Sequence, residues 1–253
     1  MNLYLNFTFY ILATIAVLIV GISKSGFGSG IGVLGVPLMS LVIPPAQAAA
    51  IMLPLLCIMD IFNVVHYRKR FDRTNLMILL PAALVGILLG TFTFRYLSDN
   101  SIRILLGVIS ILFVGNFFRS RKNEQKQTTP NRFKGSFWGA IAGFTSFGVH
   151  AGGPPVNIYL LPQKLDKTVF VGTTVVFFMI VNYVKLIPYA FLGQLNGENL
   201  LTSLILSPLV PLGVWLGIKL HDRINEQLFY NVAYISLLIT GVKLLYDGIS
   251  NII

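Results

Sequence analysis

The sequence predicts an all-α, multi-pass membrane protein made of two inverted repeats, each a broken helical hairpin followed by three transmembrane helices. Three observations support this fold class: a low content of charged residues, recurring apolar runs of about 20 residues, and an ordered series of internal matches. Of the 253 residues, 55% are hydrophobic and 11% are charged, and the mean hydropathy is +0.77. Because a soluble domain has about 25% charged residues, this composition excludes an ordinary soluble enzyme, a disordered protein and a secreted disulfide scaffold.

Each half of the chain contains five apolar segments in the same order: a short one, a shorter one after a Gly/Pro break, and three full spans. In the first half they cover residues 7–22, 31–43, 46–66, 76–97 and 102–118. In the second half they cover residues 136–149, 156–162, 168–188, 200–220 and 228–246. We therefore divide the chain into a first transmembrane repeat, 1–118, a polar cytoplasmic linker, 119–134, and a second transmembrane repeat, 135–253. Segment 7–22 has no positively charged leader, which favours a retained helix over a cleaved signal peptide.

Matched residues recur in the two halves in the same order. One set of matches has an offset of 127 residues and begins at Pro81, Gly86 and Gly90. A second set has an offset of 118 residues and begins at Pro37 and Pro44. The counterparts are Pro208, Gly213, Gly217, Pro155 and Pro162. The pair Asn63 and His66 is matched, at an offset of 119, by Asn182 and Lys185. Glycine and proline are common in membrane helices, but their shared order favours an internal duplication. We expect the Gly86/Gly90 and Gly213/Gly217 pairs to be helix-packing contacts.

The positive charges report membrane orientation rather than a nucleic-acid partner. The formal net charge is +10, but lysine and arginine lie mostly in short hydrophilic gaps between apolar segments, where they set topology. Inverted repeats place the basic clusters of residues 68–73, 119–134, 164–167 and 219–223 in the cytoplasm, with both termini outside. Arg95 and Arg103 are exceptions on the opposite side, where Lys185 and Lys243 also lie near helix ends.

The first Gly/Pro break is the most informative stretch of the sequence. Four glycines within seven residues argue against a continuous helix, because each costs about 1 kcal/mol in a helix interior. Irregular backbone at membrane depth is tolerated only where it is buried in protein or lines a watery cavity, and a half-helix N-terminus there attracts anions. The candidate anion ligands at this break are Ser25, Gly26, Gly28, Ser29 and Gly30. The alternative is close helix packing at the glycines.

Lys24 lies inside the first break. A charge at the bilayer centre costs about 2.5–3.5 kcal/mol on insertion scales, and no acidic residue is nearby in the sequence. A substrate anion would complete the pair, so Lys24 is a candidate counter-charge. The alternative is that Lys24 lies close enough to an interface for its ammonium group to reach water.

The second break has a similar composition of small residues and hydroxyls. Its candidate ligands are Ser146, Gly148, His150, Gly152, Gly153 and, just after it, Asn157. Interrupted segments at corresponding positions of two halves indicate a transporter's binding site. His150 could couple transport to protons, or it could be a hydrogen-bonded structural residue.

Polar residues also follow the third segment of each half. Asp60, Asn63 and His66 are spaced by three, which places neighbours on one helix face, and Asn182 and Lys185 match the latter two. These five residues either line the pathway or hold helices together. The sequence leaves both alternatives open.

Motifs of enzymes, metal sites and cofactor sites are missing. Residues 30–35 match G-x-G-x-x-G, but a dinucleotide site needs a preceding strand. Ser29 lacks the nucleophile-elbow pattern, and no H-E-x-x-H or paired-carboxylate arrangement occurs. The single cysteine, Cys57, excludes an intramolecular disulfide and a cysteine-based metal cluster. We therefore expect no catalytic residue, no metal and no cofactor.

The two glycine-rich breaks that lead into prolines resemble those of the sulfite exporter TauE/SafE family. The first is 26-Gly-Phe-Gly-Ser-Gly-Ile-Gly-32 with Val36 and Pro37, and the second spans Gly148 to Pro155. The resemblance implies a bacterial inner-membrane secondary carrier that exports small sulfur-containing anions such as sulfite or organosulfonates. Its partners would be the anion and the lipid bilayer, with no nucleic acid, and an oligomer is left open.

Alternating access, in which one repeat rocks against the other around the bound anion, is the mechanism that we expect. Three alternative functions remain open from the sequence: a passive anion channel that uses the same breaks as a filter, an intramembrane enzyme that uses Ser29 or His150, and a purely structural membrane subunit.

Single cysteines at Gln125 and Asn196 are expected to react with a membrane-impermeant maleimide from opposite sides. The inverted arrangement places the linker in the cytoplasm and the loop before residues 200–220 outside. Labelling of intact and permeabilised cells measures the side of each cysteine. Reaction of both from the same side would contradict the inverted topology.

Overall fold

The computed structural model describes residues 7–28, 32–94, 96–120, 127–220 and 226–251. All regular elements within these ranges are helical, and they include no strand. Five helices there are long and apolar enough to cross a membrane, and a bent pair adds a sixth if it forms one span. The predicted class, an all-α multi-pass membrane protein, is therefore confirmed.

The helices follow the same order in both halves. The first half contains α1 (Phe7–Gly26), α2 (Gly35–Met39), α3 (Pro45–Tyr67), α4 (Arg73–Phe94) and α5 (Asp99–Ser120). The second half contains α6 (Arg132–Val149), α7 (Gly153–Leu160), α8 (Lys167–Phe191), α9 (Gly197–Leu206), α10 (Leu209–Leu220) and α11 (Glu226–Ser250). The 3₁₀ turns Gly32–Leu34 and Leu161–Gln163 adjoin the short helices α2 and α7. Thus a long helix, a break, a short helix and three further spans occur twice.

One predicted segment is not a single helix. Residues 200–220 form α9 and α10, which meet at an angle of 48°. The bend lies at Ser207 and Pro208, between the two helices. Proline has no backbone N–H to donate, and it disfavours helical geometry in the residue before it. The prediction of one continuous span was therefore wrong at this point.

Side-chain caps explain where three helices of the second half begin. Asn131 accepts a hydrogen bond from the Lys134 backbone N–H (2.9 Å) at the start of α6. Asp166 accepts from the Thr168 N–H (3.0 Å) before α8, and Asn196 caps α9 in the same way. Such caps satisfy N–H groups that have no partner within the helix.

The two halves pack by exchanging helices rather than lying side by side. Helix α1 of the first half packs on α10 of the second, and α6 of the second packs on α4 of the first. The equivalent pairs α3 with α8, and α5 with α11, also join the halves. This exchange places the C-terminal ends of α1 and α6 against the central pair α3 and α8.

Glycines allow the exchanged helices to approach closely. A Cβ at Gly86 would collide with the Ala140 carbonyl oxygen of α6, and one at Gly90 would lie 2.9 Å from the Phe147 Cβ. In the other pair, a Cβ at Gly217 would lie 2.7 Å from the Ile22 carbonyl oxygen of α1. The predicted packing role of the Gly86/Gly90 and Gly213/Gly217 pairs is confirmed by these contacts.

Candidate functional site

Helices α1 and α6 both end inside the protein, at the two glycine-rich stretches. Helix α1 ends at Gly26, and Gly28 adopts a left-handed conformation (φ 75°) that favours glycine. Helix α6 ends at Val149, and the next residue, His150, is also left-handed (φ 54°) and closes the helix through its N–H. Ser29 and Gly30, two predicted anion ligands, lie outside the described residues.

Two tyrosines complete these helix ends in the same way. The Tyr67 hydroxyl, at the end of α3, donates to the Ser25 carbonyl oxygen at 2.6 Å. The Tyr189 hydroxyl, near the end of α8, donates to the Phe147 carbonyl oxygen at 2.5 Å. In both bonds the partners are 42 residues apart. Carbonyls in a last helical turn have no intrahelical donor, so each tyrosine satisfies one of these buried groups.

The tyrosine contacts correct the register of the internal matches in α3 and α8. Tyr67 and Tyr189 are 122 residues apart, as are Ser25 and Phe147. At this offset Asp60 matches Asn182, and Asn63 matches Lys185. The earlier offset of 119, which paired Asn63 with Asn182 and His66 with Lys185, was therefore wrong by three residues, because it was based on residue type without contacts.

A buried ion pair joins α1 to α3. The Lys24 Nζ lies 2.6 Å from Asp60 Oδ1, and the Asn182 Nδ2 of α8 donates to Asp60 Oδ2 at 2.8 Å. Lys24 is 5% exposed and Asp60 is 0% exposed. The sequence offered Lys24 no acidic partner, and the structure corrects this point: Asp60 completes the pair within the protein. The alternative that Lys24 reaches water at an interface is also wrong.

A second buried cluster surrounds Lys185. Its Nζ donates to the Ser146 carbonyl (2.9 Å), to the Ser146 Oγ (3.0 Å) and to His150 Nδ1 (2.7 Å). The His150 Nε2 donates in turn to the Ala49 carbonyl oxygen of α3 at 2.9 Å. A carbonyl oxygen only accepts, so Nε2 carries a proton, and we assign Nδ1 as the acceptor of the Lys185 ammonium group. Lys185 is 0% exposed. The sequence placed it near a helix end on the outer side of the membrane, and the structure corrects this point, because Lys185 is buried within α8.

Two unpartnered polar side chains lie beside the Lys24–Asp60 pair. Asn63 follows Asp60 by three residues and precedes Tyr67 by four, so these side chains share one face of α3. Asp60 contacts Lys24 and Tyr67 contacts Ser25, which places Asn63 opposite the last turn of α1. Both polar side-chain atoms of Asn63 and the Ser25 Oγ have no hydrogen-bond partner among the described residues. Buried amides and hydroxyls are nearly always paired, so the Asn63 amide and the Ser25 hydroxyl are free to bond to a further group.

Of the remaining predicted anion ligands, three glycines lie in close packing contacts, and Gly153 and Asn157 belong to α7. A Cβ at Gly26 would lie 2.5 Å from the Gly217 carbonyl oxygen, and a Cβ at Gly148 would collide with the Phe94 ring. A Cβ at Gly152 would lie 2.8 Å from the Ala142 carbonyl oxygen, so close packing explains these three glycines. Gly153 begins α7, where Asn157 is buried with an unpartnered Oδ1.

His66 lies outside both clusters. It is exposed on α3, while Asp60, Asn63 and Tyr67 of the same helix are buried. The spacing of three residues predicted that His66 shares a helix face with Asn63. In the structure, Tyr67 and not His66 occupies the buried face of the last turn of α3. His66 therefore joins neither buried cluster, and its role along the pathway stays a prediction.

A largely apolar cavity of about 880 Å³ reaches the wall of the His150 cluster. Its lining includes Ala49, whose carbonyl accepts from His150, and Tyr189, whose ring stacks on His150 with 6.3 Å between centroids. The outer part is lined by exposed apolar residues of α4 and α8, such as Leu88 and Phe191. One layer of side chains thus separates this cavity from the buried cluster.

Metal chemistry has no support in the described ranges, which contain no group of three or more His, Cys, Asp or Glu side chains able to hold a metal ion. What the arrangement provides is electrostatic: ammonium groups, one carboxylate and neutral hydrogen-bond donors, all removed from water.

Comparison with protein families gives one match that covers nearly the whole chain. The family model described as "Sulfite exporter TauE/SafE" matches residues 13–244. No match is found among curated proteins or among solved structures.

Replacing Tyr67 or Tyr189 by phenylalanine is expected to lower thermal stability by similar amounts. Each change leaves one buried carbonyl without its donor, at a cost of about 1–3 kcal/mol. The melting temperature of the purified protein in detergent measures the effect. Tyr183→Phe, on the partly exposed side of α8, is the matched control and should change little. Loss confined to one of the two tyrosines would contradict their equivalence.

Proposed function

We propose, from the premise that this chain belongs to the sulfite exporter TauE/SafE family, that it is a secondary carrier of small sulfur-containing oxyanions. The family is one of membrane transporters for anions, and its members are not enzymes. Sulfite and organosulfonates are the substrates that this membership suggests, with export as the direction. The bacterial inner membrane, with both termini outside, is the proposed location.

The observation that carries this proposal is an excess of buried positive charge. Lys24 and Lys185 are buried, and Asp60 is the one buried carboxylate among the described residues. Lys185 Nζ lies within hydrogen-bond distance of three groups that can accept, which is the number of N–H donors that an ammonium group has. His150 is neutral by its hydrogen bonds. An uncompensated charge at membrane depth is costly, and a bound anion would compensate it.

The neutral groups suit an oxyanion better than a halide. Ser25 and Asn63 offer an unpartnered hydroxyl and amide beside Lys24. The oxygens of a sulfite or sulfonate group accept several hydrogen bonds in different directions, and charge-assisted bonds are the stronger ones. We propose Lys24, Ser25 and Asn63 on the first half, and Ser146, His150 and Lys185 on the second, as the residues around the anion.

Alternating access is the proposed mechanism, with the two breaks as the points where the backbone changes shape. Helices α1 and α10 belong to different halves yet touch through glycine backbones, as do α4 and α6. We therefore propose that these exchanged pairs move as bodies around α3 and α8, instead of one whole repeat rocking against the other. The buried site favours a carrier over an open channel, and counterflow in proteoliposomes distinguishes the two, because a channel gives no exchange stimulation.

Lys24→Met and Lys185→Met are each expected to weaken anion binding by about ten-fold or more, because each removes one of the two buried cations. Ligand-induced rise of the melting temperature ranks sulfite, sulfate, thiosulfate, taurine, sulfoacetate and simple carboxylates, since a ligand that binds the folded state stabilises it. Proteoliposome flux of the best ligand provides the second readout.

Lys219→Met is the matched control, because Lys219 is exposed at the end of α10. It should leave binding and flux unchanged. Equal affinities in all three variants, or no response of the wild-type protein to any oxyanion, would overturn the proposed function.

A further inference from the structure

We infer that Asp60 determines the charge of the transported anion, so that the site selects monovalent over divalent oxyanions. The inference rests on the proposed function, because it concerns the same buried site. Its basis is the arrangement of ionised groups around α3, in which one carboxylate offsets one of two buried ammonium groups.

The hydrogen bonds are those expected of an ionised Asp60, an ionised Lys185 and a neutral His150. Asp60 Oδ1 lies 2.6 Å from the Lys24 Nζ, and Oδ2 accepts a hydrogen bond from Asn182, as expected for an ionised carboxylate. Lys185 makes three donor bonds to neutral acceptors. His150 offers Nδ1 as an acceptor to that ammonium group, 2.7 Å away, and a second positive charge at this distance would be strongly repelled.

The other ionisable groups near α3 add no buried charge to Lys24, Lys185 and Asp60. Tyr183 and Cys57 also lie near Asp60 and are neutral in their usual state. The helices α9 and α10 that pack on α3 carry Glu198 and Lys219 in their first and last turns. The charged residues of α5 and α6 in the described ranges are likewise near helix ends, and Arg103 of α5 donates to the Ser40 carbonyl. Within the described part of the chain, the buried cluster therefore has one surplus positive charge.

A surplus of one charge fits one negative charge on the ligand. A monovalent anion would make the buried cluster neutral, whereas a divalent anion would leave an uncompensated negative charge at membrane depth. Burying an unpaired charge is far more costly than burying a paired one. Asp60 is thus the residue that sets the balance, and without it the surplus would be two.

The test compares methanesulfonate with sulfate, two tetrahedral anions of similar size that differ by one charge. The wild-type protein should bind methanesulfonate about ten-fold or more tightly than sulfate, and Asp60→Asn should shift this ratio by at least about ten-fold toward sulfate. Binding is measured by calorimetry on the purified full chain at constant ionic strength and neutral pH. Glu198→Gln makes the same carboxylate-to-amide change at an exposed position of α9, and it should leave the ratio unchanged.

A second pair of variants tests the charge count if Asp60→Asn does not fold. Lys24→Met leaves one cation and one carboxylate, and should lose methanesulfonate binding. Adding Asp60→Asn to Lys24→Met restores the surplus of one through Lys185, and should recover part of that binding. A double variant that binds no better than Lys24→Met would overturn the inference.

The outcomes separate the inference from the function on which it rests. If the wild-type protein binds neither anion nor any other oxyanion, the proposed carrier function fails. If it binds both anions and Asp60→Asn leaves their affinity ratio unchanged, the proposed function stands and the role of Asp60 is wrong.

Discussion

The ion pair between Lys24 and Asp60 is the contact on which the interior of this protein depends. Its two charges are buried between candidate membrane-spanning helices, where an isolated charge is costly. They are 2.6 Å apart, and Asn182 donates a further hydrogen bond to Asp60. Those three residues join α1, α3 and α8, and therefore both halves of the chain. Losing one member would leave a buried charge uncompensated, which is more damaging than never having had the pair.

The same contact shows how the two halves are related. Asp60 and Asn182 are matched positions, 122 residues apart, and they bond to each other. Contacts between matched residues are expected close to an axis that relates two repeats. The equivalent tyrosine bonds to the ends of α1 and α6 support the same arrangement. The proposed site draws residues from both halves, as the sites of carriers with repeated architecture do.

Much of the architecture could be predicted from the sequence, because apolar length and glycine placement determine it directly. The helices and the close packing at Gly86 and Gly213 follow from local composition. The partners of Lys24 and Lys185 could not be predicted, because Asp60 and Ser146 are distant in the chain and only the fold brings them together. Tyr67 and Tyr189 did offer a signal, an equal spacing from the two breaks, but tyrosine at a helix end is common near membrane interfaces.

The most direct test of a buried anion site between the halves is anomalous diffraction from crystals grown with bromomethanesulfonate. The bromine locates the ligand independently of any assumption about transport direction. We predict a bromine peak whose sulfonate oxygens lie within hydrogen-bond distance of the Lys24 or Lys185 ammonium group. A fully bound ligand elsewhere, with the cluster of Lys24, Asp60 and Asn182 unchanged, would contradict the site.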